Sequence, residues 1–263
     1  MANPVFKNEK AFQAGSSVSQ QAPDPTTLQP QFAPPAGFEV DPGRMSHDGT
    51  LFKAFALFLM AAASATAVAF LAPALAFPLS LGAFVFSLVV AFRRKAPSVP
   101  LYVITLALWG GAAGGLSAFY EAAYNGIVMH ALLATATVFA VSLAVYKSGR
   151  IRNIGKVRKF LAIAVPAYVV FSLVDVGMVM FLDQSSVRDA TLPGSDFPLG
   201  ILLSAFAILV GAFMLISDFD FVDNGVRNGL PKVYEWTAAY GLVFAVIWIY
   251  IEMLRLLSYL RGR

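Results

Sequence analysis

The sequence predicts an all-α, polytopic membrane protein, a bundle of seven transmembrane helices, and three observations carry that reading. Of 263 residues, 58% are apolar and only 13% charged. The apolar residues fall into runs of about 20, the length that crosses a ~30 Å hydrocarbon core, and seven such runs lie between Leu51 and Leu260. The basic residues cluster between the runs rather than inside them. This composition excludes a disordered chain, a disulfide scaffold and an ordinary soluble globule.

Residues 1–48 form the first segment. Pro23, Pro25, Pro30, Pro34, Pro35 and Pro42 stand among Gln, Thr and Ala, so the segment cannot bury a core and is expected to be an extended N-terminal arm on the cytoplasmic side. No apolar stretch follows Lys7 and Lys10 as a signal peptide requires, so the first membrane helix is expected to act as the insertion signal. The membrane domain, 49–263, then holds spans at 51–72, 74–92, 100–120, 126–146, 160–182, 198–218 and 233–258. The runs are twice as long as barrel strands, and an open sheet leaves its edge unsatisfied in lipid, so helices are expected. Short links imply antiparallel neighbours. Span three carries Trp109-Gly110-Gly111-Ala112-Ala113-Gly114-Gly115, two overlapping small-xxx-small pairs that let a neighbouring backbone come close. Tight packing inside the bundle is the first reading of this stretch, and a dimer seam or a substrate path is the second.

The formal net charge of +4 is read through position, as membrane orientation, and not as nucleic-acid binding. Arg44, Lys53, Arg93, Arg94, Lys95, Lys147, Arg150, Arg152, Lys156, Arg158, Lys159, Arg227 and Lys232 fall on the side of the N-terminus. Arg188, Arg255, Arg261 and Arg263 fall on the other. Thirteen against four places the N-terminus in the cytoplasm and the C-terminus outside. With no cysteine and two histidines, thiolate and histidine-rich metal sites are excluded, and no cofactor is expected. Nucleotide-loop, metalloprotease and serine-hydrolase motifs are missing, so the sequence predicts no enzyme.

Ionisable residues at membrane depth are therefore the candidates, each carrying a penalty of about 2.5–3.5 kcal/mol on translocon scales. Asp175 lies deepest, in span five, either hydrogen-bonded to a neighbouring helix or on an ion path. Glu121 and His130 flank the turn between spans three and four. Glu252 stands one turn before Arg255, a spacing that suits a local ion pair. The densest signal is Ser217-Asp218-Phe219-Asp220-Phe221-Val222-Asp223 at the inner end of span six. Three carboxylates that close should repel one another, which suits a proton switch centred on Asp218 or oxygen ligands for a hard cation such as Ca2+. A solvated helix end is the plain alternative, though carboxylates there oppose the helix dipole.

Four stretches together resemble the Bax inhibitor (TMBIM, YccA-type) membrane family, in its actinobacterial branch: Asn3-Pro4-Val5-Phe6, Ala144-Val145-Tyr146-Lys147-Ser148-Gly149, Asp218-Phe219-Asp220-Phe221, and Tyr250-Ile251-Glu252-Met253-Leu254-Arg255. The resemblance implies seven helices with the last one central, a bacterial inner-membrane location, and a pH-sensitive Ca2+ leak. It also implies an aspartate pair, one at the end of helix six and one within helix seven, acting as the pH sensor. Asp218 matches the first. The second falls near Ala245, and Glu252 stands two turns away, about 10 Å of helix rise. Asp220 and Asp175 are the candidate substitutes, and Glu121 matches an acidic position after helix three. The main expectation is thus a cation leak gated by Asp218. The alternative is a non-conducting accessory subunit that contacts a larger membrane complex through its arm and helix faces.

Overall fold

The computed structural model describes residues 43–93, 97–149, 154–182, 185–191 and 197–262. Most of the expected arm, 1–42, lies outside them. Seven helices follow in order: α1 (His47–Leu71), α2 (Ala76–Phe92) after a 3-10 turn at Pro73–Leu75, α3 (Val99–Ala123), α4 (Ile127–Lys147), α5 (Ile154–Phe181), α6 (Leu199–Arg227) and α7 (Tyr234–Arg261). Each is long and apolar enough to cross a membrane. A second 3-10 turn, Val187–Asp189, lies between α5 and α6. The described residues include no strand.

Successive helices run antiparallel. The near face carries the start of α1, and the far face carries the end of α7. On the near face, residues just before α1 are anchored to the α6–α7 link: Met45 N donates to Leu230 O at 2.7 Å and Lys232 N to Gly43 O at 2.9 Å. Ser46 then caps α1, its hydroxyl accepting from Gly49 N at 3.0 Å. On the far face, the Tyr259 ring near the end of α7 lies against Gly200 at the start of α6.

The last helix occupies the middle. Backbone contacts link α7 to α1, α3, α4 and α6, whereas α2 flanks α3 and α5 flanks α6. Ala238, Ala239, Val243, Ala245, Ile249 and Leu254 of α7 are buried accordingly. Phe52 and Phe55 of α1, Leu81 and Val85 of α2 and Ile163 and Val170 of α5 are exposed, as lipid-facing side chains should be.

Lipid tails are as apolar as leucine, so close backbone approach has to supply much of the packing. The glycines of α3 do this within one chain. A Cβ on Gly110 or Gly114 would collide with the backbone of Ala61 or Ala65 on α1, and one on Gly115 would lie 2.8 Å from the Cβ of Ala76. One glycine pair therefore seats α1 and its neighbours seat α2, so this stretch packs tightly inside the bundle, as its first reading expects. Gly177 on α5 has open space where its Cβ would be. Gly114→Val should consequently lower stability by about 3 kcal/mol, the upper range for overpacking. Gly177→Ala should be close to neutral, as thermal unfolding of the two variants in detergent will show.

Candidate functional site

The acidic stretch of span six is not a helix end. α6 continues through it to Arg227, a basic residue that suits the last turn. At 3.6 residues per turn the three carboxylates leave the helix in different directions. Asp220 pairs with Arg158 of α5 at 2.8 Å. Asp223 accepts from Tyr146 OH of α4 at 2.5 Å and lies 3.8 Å from His47 Nε2 of α1. Separate partners on separate helices replace the mutual repulsion expected from spacing alone, and Asp220 is engaged away from Asp218.

Asp218 faces α7. Its carboxyl packs on Gly241, where a Cβ would lie 2.9 Å from Oδ1, so the missing side chain on α7 makes room for the acid on α6. It borders a cleft of about 410 Å3 on the near face, together with Arg93, Tyr102, Tyr234, Thr237 and Tyr240. Tyr102 OH and Thr237 Oγ1 are 3.1 Å apart, and the Tyr102 and Tyr240 rings stack with centroids 4.8 Å apart. Ala245, where the resemblance places a second aspartate, is fully buried in a core of Ile208, Leu215 and Ile249. Among the described residues, no hydrogen bond or ion pair reaches the Asp218 carboxyl. Asp220 and Asp175, the candidate substitutes, bond elsewhere, to Arg158 and to Ser186 and Val187 respectively.

The far end holds a second polar group. Asp175 is buried and accepts from Ser186 Oγ at 2.8 Å and Val187 N at 2.7 Å, tying α5 to the 3-10 turn. Glu252, 3% exposed, accepts from Tyr168 OH at 2.7 Å and from Arg255 Nη1 at 2.6 Å, the local pair expected from its spacing. Between these acids lies Arg188, whose Nη2 donates to Tyr168 OH at 2.8 Å. Its Nε is 3.7 Å from Asp175 and its Nη1 3.9 Å from Glu252. Glu121 accepts from Gly126 N at 2.6 Å and Val128 N at 3.0 Å, so it caps the start of α4. His130 Nδ1 lies 3.2 Å from Arg261.

Glu235 on the near face has no place in the sequence reading. It is fully buried and accepts from Ser46 N at 2.9 Å, from Ser46 Oγ at 3.0 Å and from Lys53 Nζ, clamping the first turn of α1 to that of α7. Lys53 also lies over the Trp236 ring, 5.3 Å from its centroid. Arg188 and Gly241 were likewise missed as members of a site. Arg188 stands out in sequence only as one of few basic residues on the far side, and Gly241 only as an isolated glycine in span seven.

The fold and these groups define a seven-helix integral membrane protein with ionisable residues distributed along its central helix pair. A family model described as Bax inhibitor 1 like matches residues 3–262, and the chain belongs to that family. No curated protein matches it. The seven apolar helices place it in a bilayer as a multi-pass protein in contact with lipid.

Removing one partner of a buried ion pair strands the other, at a cost of about 3–5 kcal/mol. Glu235→Ala should lose stability in that range, and Lys53→Met should lose a comparable amount. The double variant should lose clearly less than the sum, since it leaves no uncompensated charge. Denaturant unfolding in detergent across this cycle measures the coupling.

Proposed function

We propose that this protein is a pH-sensitive cation leak of the bacterial inner membrane, passing Ca2+ or another cation, with Asp218 as its gating carboxyl. One observation carries the reading: Asp218 borders an open cleft at the near end of the central α6–α7 seam, and among the described residues no hydrogen bond reaches its carboxyl. A charged group at membrane depth is expensive unless it is paired or wetted, and such groups mark ion paths. Beyond Asp218 the seam is apolar, with Leu215 and Ile249 fully buried, which suits a closed conformation. The near face carries most of the basic residues and is taken as cytoplasmic, so the cleft opens to the cell interior. The role is transport and not catalysis.

In this reading Asp218 is a single carboxyl acting without a partner acid, while Asp220 and Asp175 hold helices and loop in place. Reconstituted liposomes loaded with a calcium dye test it. The expected result is a flux above that of empty vesicles that changes with pH, loses most of its magnitude and its pH dependence in Asp218→Asn, and keeps that dependence in Asp220→Asn. A flux unchanged by Asp218→Asn contradicts the proposal.

A further inference from the structure

Arg93 of α2 and Asp218 of α6 border the same near-face cleft. Among the described residues no ion pair joins them, although opposite charges this close to the membrane interface gain by meeting. Arg158 of α5, whose charge also reaches Asp218, is bonded to Asp220. Between the two charges the cleft is lined by hydroxyls and rings. The Tyr102 and Thr237 hydroxyls lie 3.1 Å apart, and the Tyr240 ring stacks on that of Tyr102 with centroids 4.8 Å apart. A positive group on one wall, a negative group on the other and aromatic surface between them suit a ligand that carries both charges.

Aromatic side chains continue from the cleft along α7 toward the far face. Tyr240, Phe244 and Trp248 stand one turn apart on one face and are each half-buried, although α7 is the central helix. Their rings follow one another at 5.8 and 6.4 Å, with Trp109 of α3 at 6.1 Å from Phe244 and Tyr168 of α5 at 5.2 Å from Trp248. The indole N–H groups of Trp109 and Trp248 donate sideways, to Ser87 Oγ at 2.9 Å and Ala207 O at 3.0 Å, so both are satisfied without water. α2 packs along α3 and α5 along α6, which raises a wall on each side of the strip. Toward the far face a second cleft, of about 300 Å3, lies between Phe77 of α2 and Val176, Val179 and Met180 of α5. From Tyr240 to Trp248 the strip covers about 12 Å of helix rise.

We propose that this cleft and strip bind one aminophospholipid, with its phosphodiester at Arg93, its primary ammonium at Asp218 and an acyl chain along Tyr240, Phe244 and Trp248. An ammonium has three donors, and the cleft offers acceptors for them in the Asp218 carboxylate and the Tyr102 and Thr237 hydroxyls. A choline head group has no such donor, so the site distinguishes the two lipids by hydrogen bonding and not by charge. A lipid is favoured over a soluble zwitterion because the charged cleft runs into an apolar strip at membrane depth. The inference uses the same carboxyl as the leak reading and does not depend on conduction.

Of the three tryptophans in the chain, Trp109 and Trp248 lie on the strip and Trp236 lies beside Lys53. In a Trp236→Phe background, quenching of indole fluorescence by lipids brominated on their acyl chains therefore reads occupancy of the strip. The protein is reconstituted in unbrominated phosphatidylcholine, and brominated phosphatidylethanolamine or brominated phosphatidylcholine is introduced at rising mole fraction. The ethanolamine lipid should reach half-quenching at a mole fraction about ten-fold lower than the choline lipid, the scale of one charge-assisted hydrogen bond. Asp218→Asn should erase that preference. Arg93→Gln should weaken both lipids and leave the preference, since both carry the phosphate.

Equal quenching by the two lipids overturns the proposal, and this comparison stands if a site variant misfolds. A preference that survives Asp218→Asn overturns it as well. Relief of the quenching by glycerophosphoethanolamine, which has the head group and no acyl chains, would assign the cleft to a soluble zwitterion and sink the lipid. Selective quenching without ion flux would sink the leak reading alone, and flux governed by Asp218 without lipid preference would sink only the lipid site.

Discussion

The structure depends on burying α7, an apolar helix that carries a glutamate near each end. Glu235 and Glu252 are both buried, where an unpaired carboxylate is far more expensive than in water. Each is therefore held by groups brought from elsewhere in the chain. Ser46 and Lys53 bring α1 to Glu235, and Tyr168 brings α5 to Glu252. Because apolar contact between helices gains little over contact with lipid, these two clamps and the glycine faces of α3 supply the specific contacts that hold α1, α3 and α5 in register with the central helix.

Against that background the position of Asp218 is distinctive. The clamps at the two ends fix α7, and Gly241 gives the carboxyl of α6 a place beside it. Asp220 and Asp223, on the same stretch of helix, are used to attach α5, α4 and α1. The cluster thus separates into two structural acids and one that borders the near-face cleft. Under the proposed function this division of labour allows a carboxyl to change its proton without unfastening the bundle.

The fold was legible in the sequence because in lipid a spanning helix must satisfy its own backbone, so run length and basic clusters suffice to locate it. The site was less legible for identifiable reasons. Helical continuation to Arg227 turns adjacent carboxylates to different neighbours, and no local pattern says that Asp220 meets Arg158 or that Asp223 meets Tyr146. Glu235 looks like an ordinary acid in a first turn, and its partner Lys53 is 182 residues away. Arg188 lies outside the apolar runs and is brought into the bundle by Asp175, a residue whose depth marked it but whose bonds to Ser186 and Val187 did not show. Only the pair Glu252 and Arg255, three residues apart on one helix, was readable as an interaction.

Under the proposed function Asp218 is, among the site carboxylates, the one that exchanges a proton, while Asp220, Asp223 and Glu252 are held by bonds to other helices or to Arg255. Infrared difference spectroscopy in the carboxylic C=O region, recorded on the reconstituted protein as the pH is varied, tests this most directly. A titrating carboxyl band should appear, disappear in Asp218→Asn and survive in Asp220→Asn and Glu252→Gln. A band that persists unchanged in Asp218→Asn, or one that vanishes instead with Glu252→Gln, would contradict it.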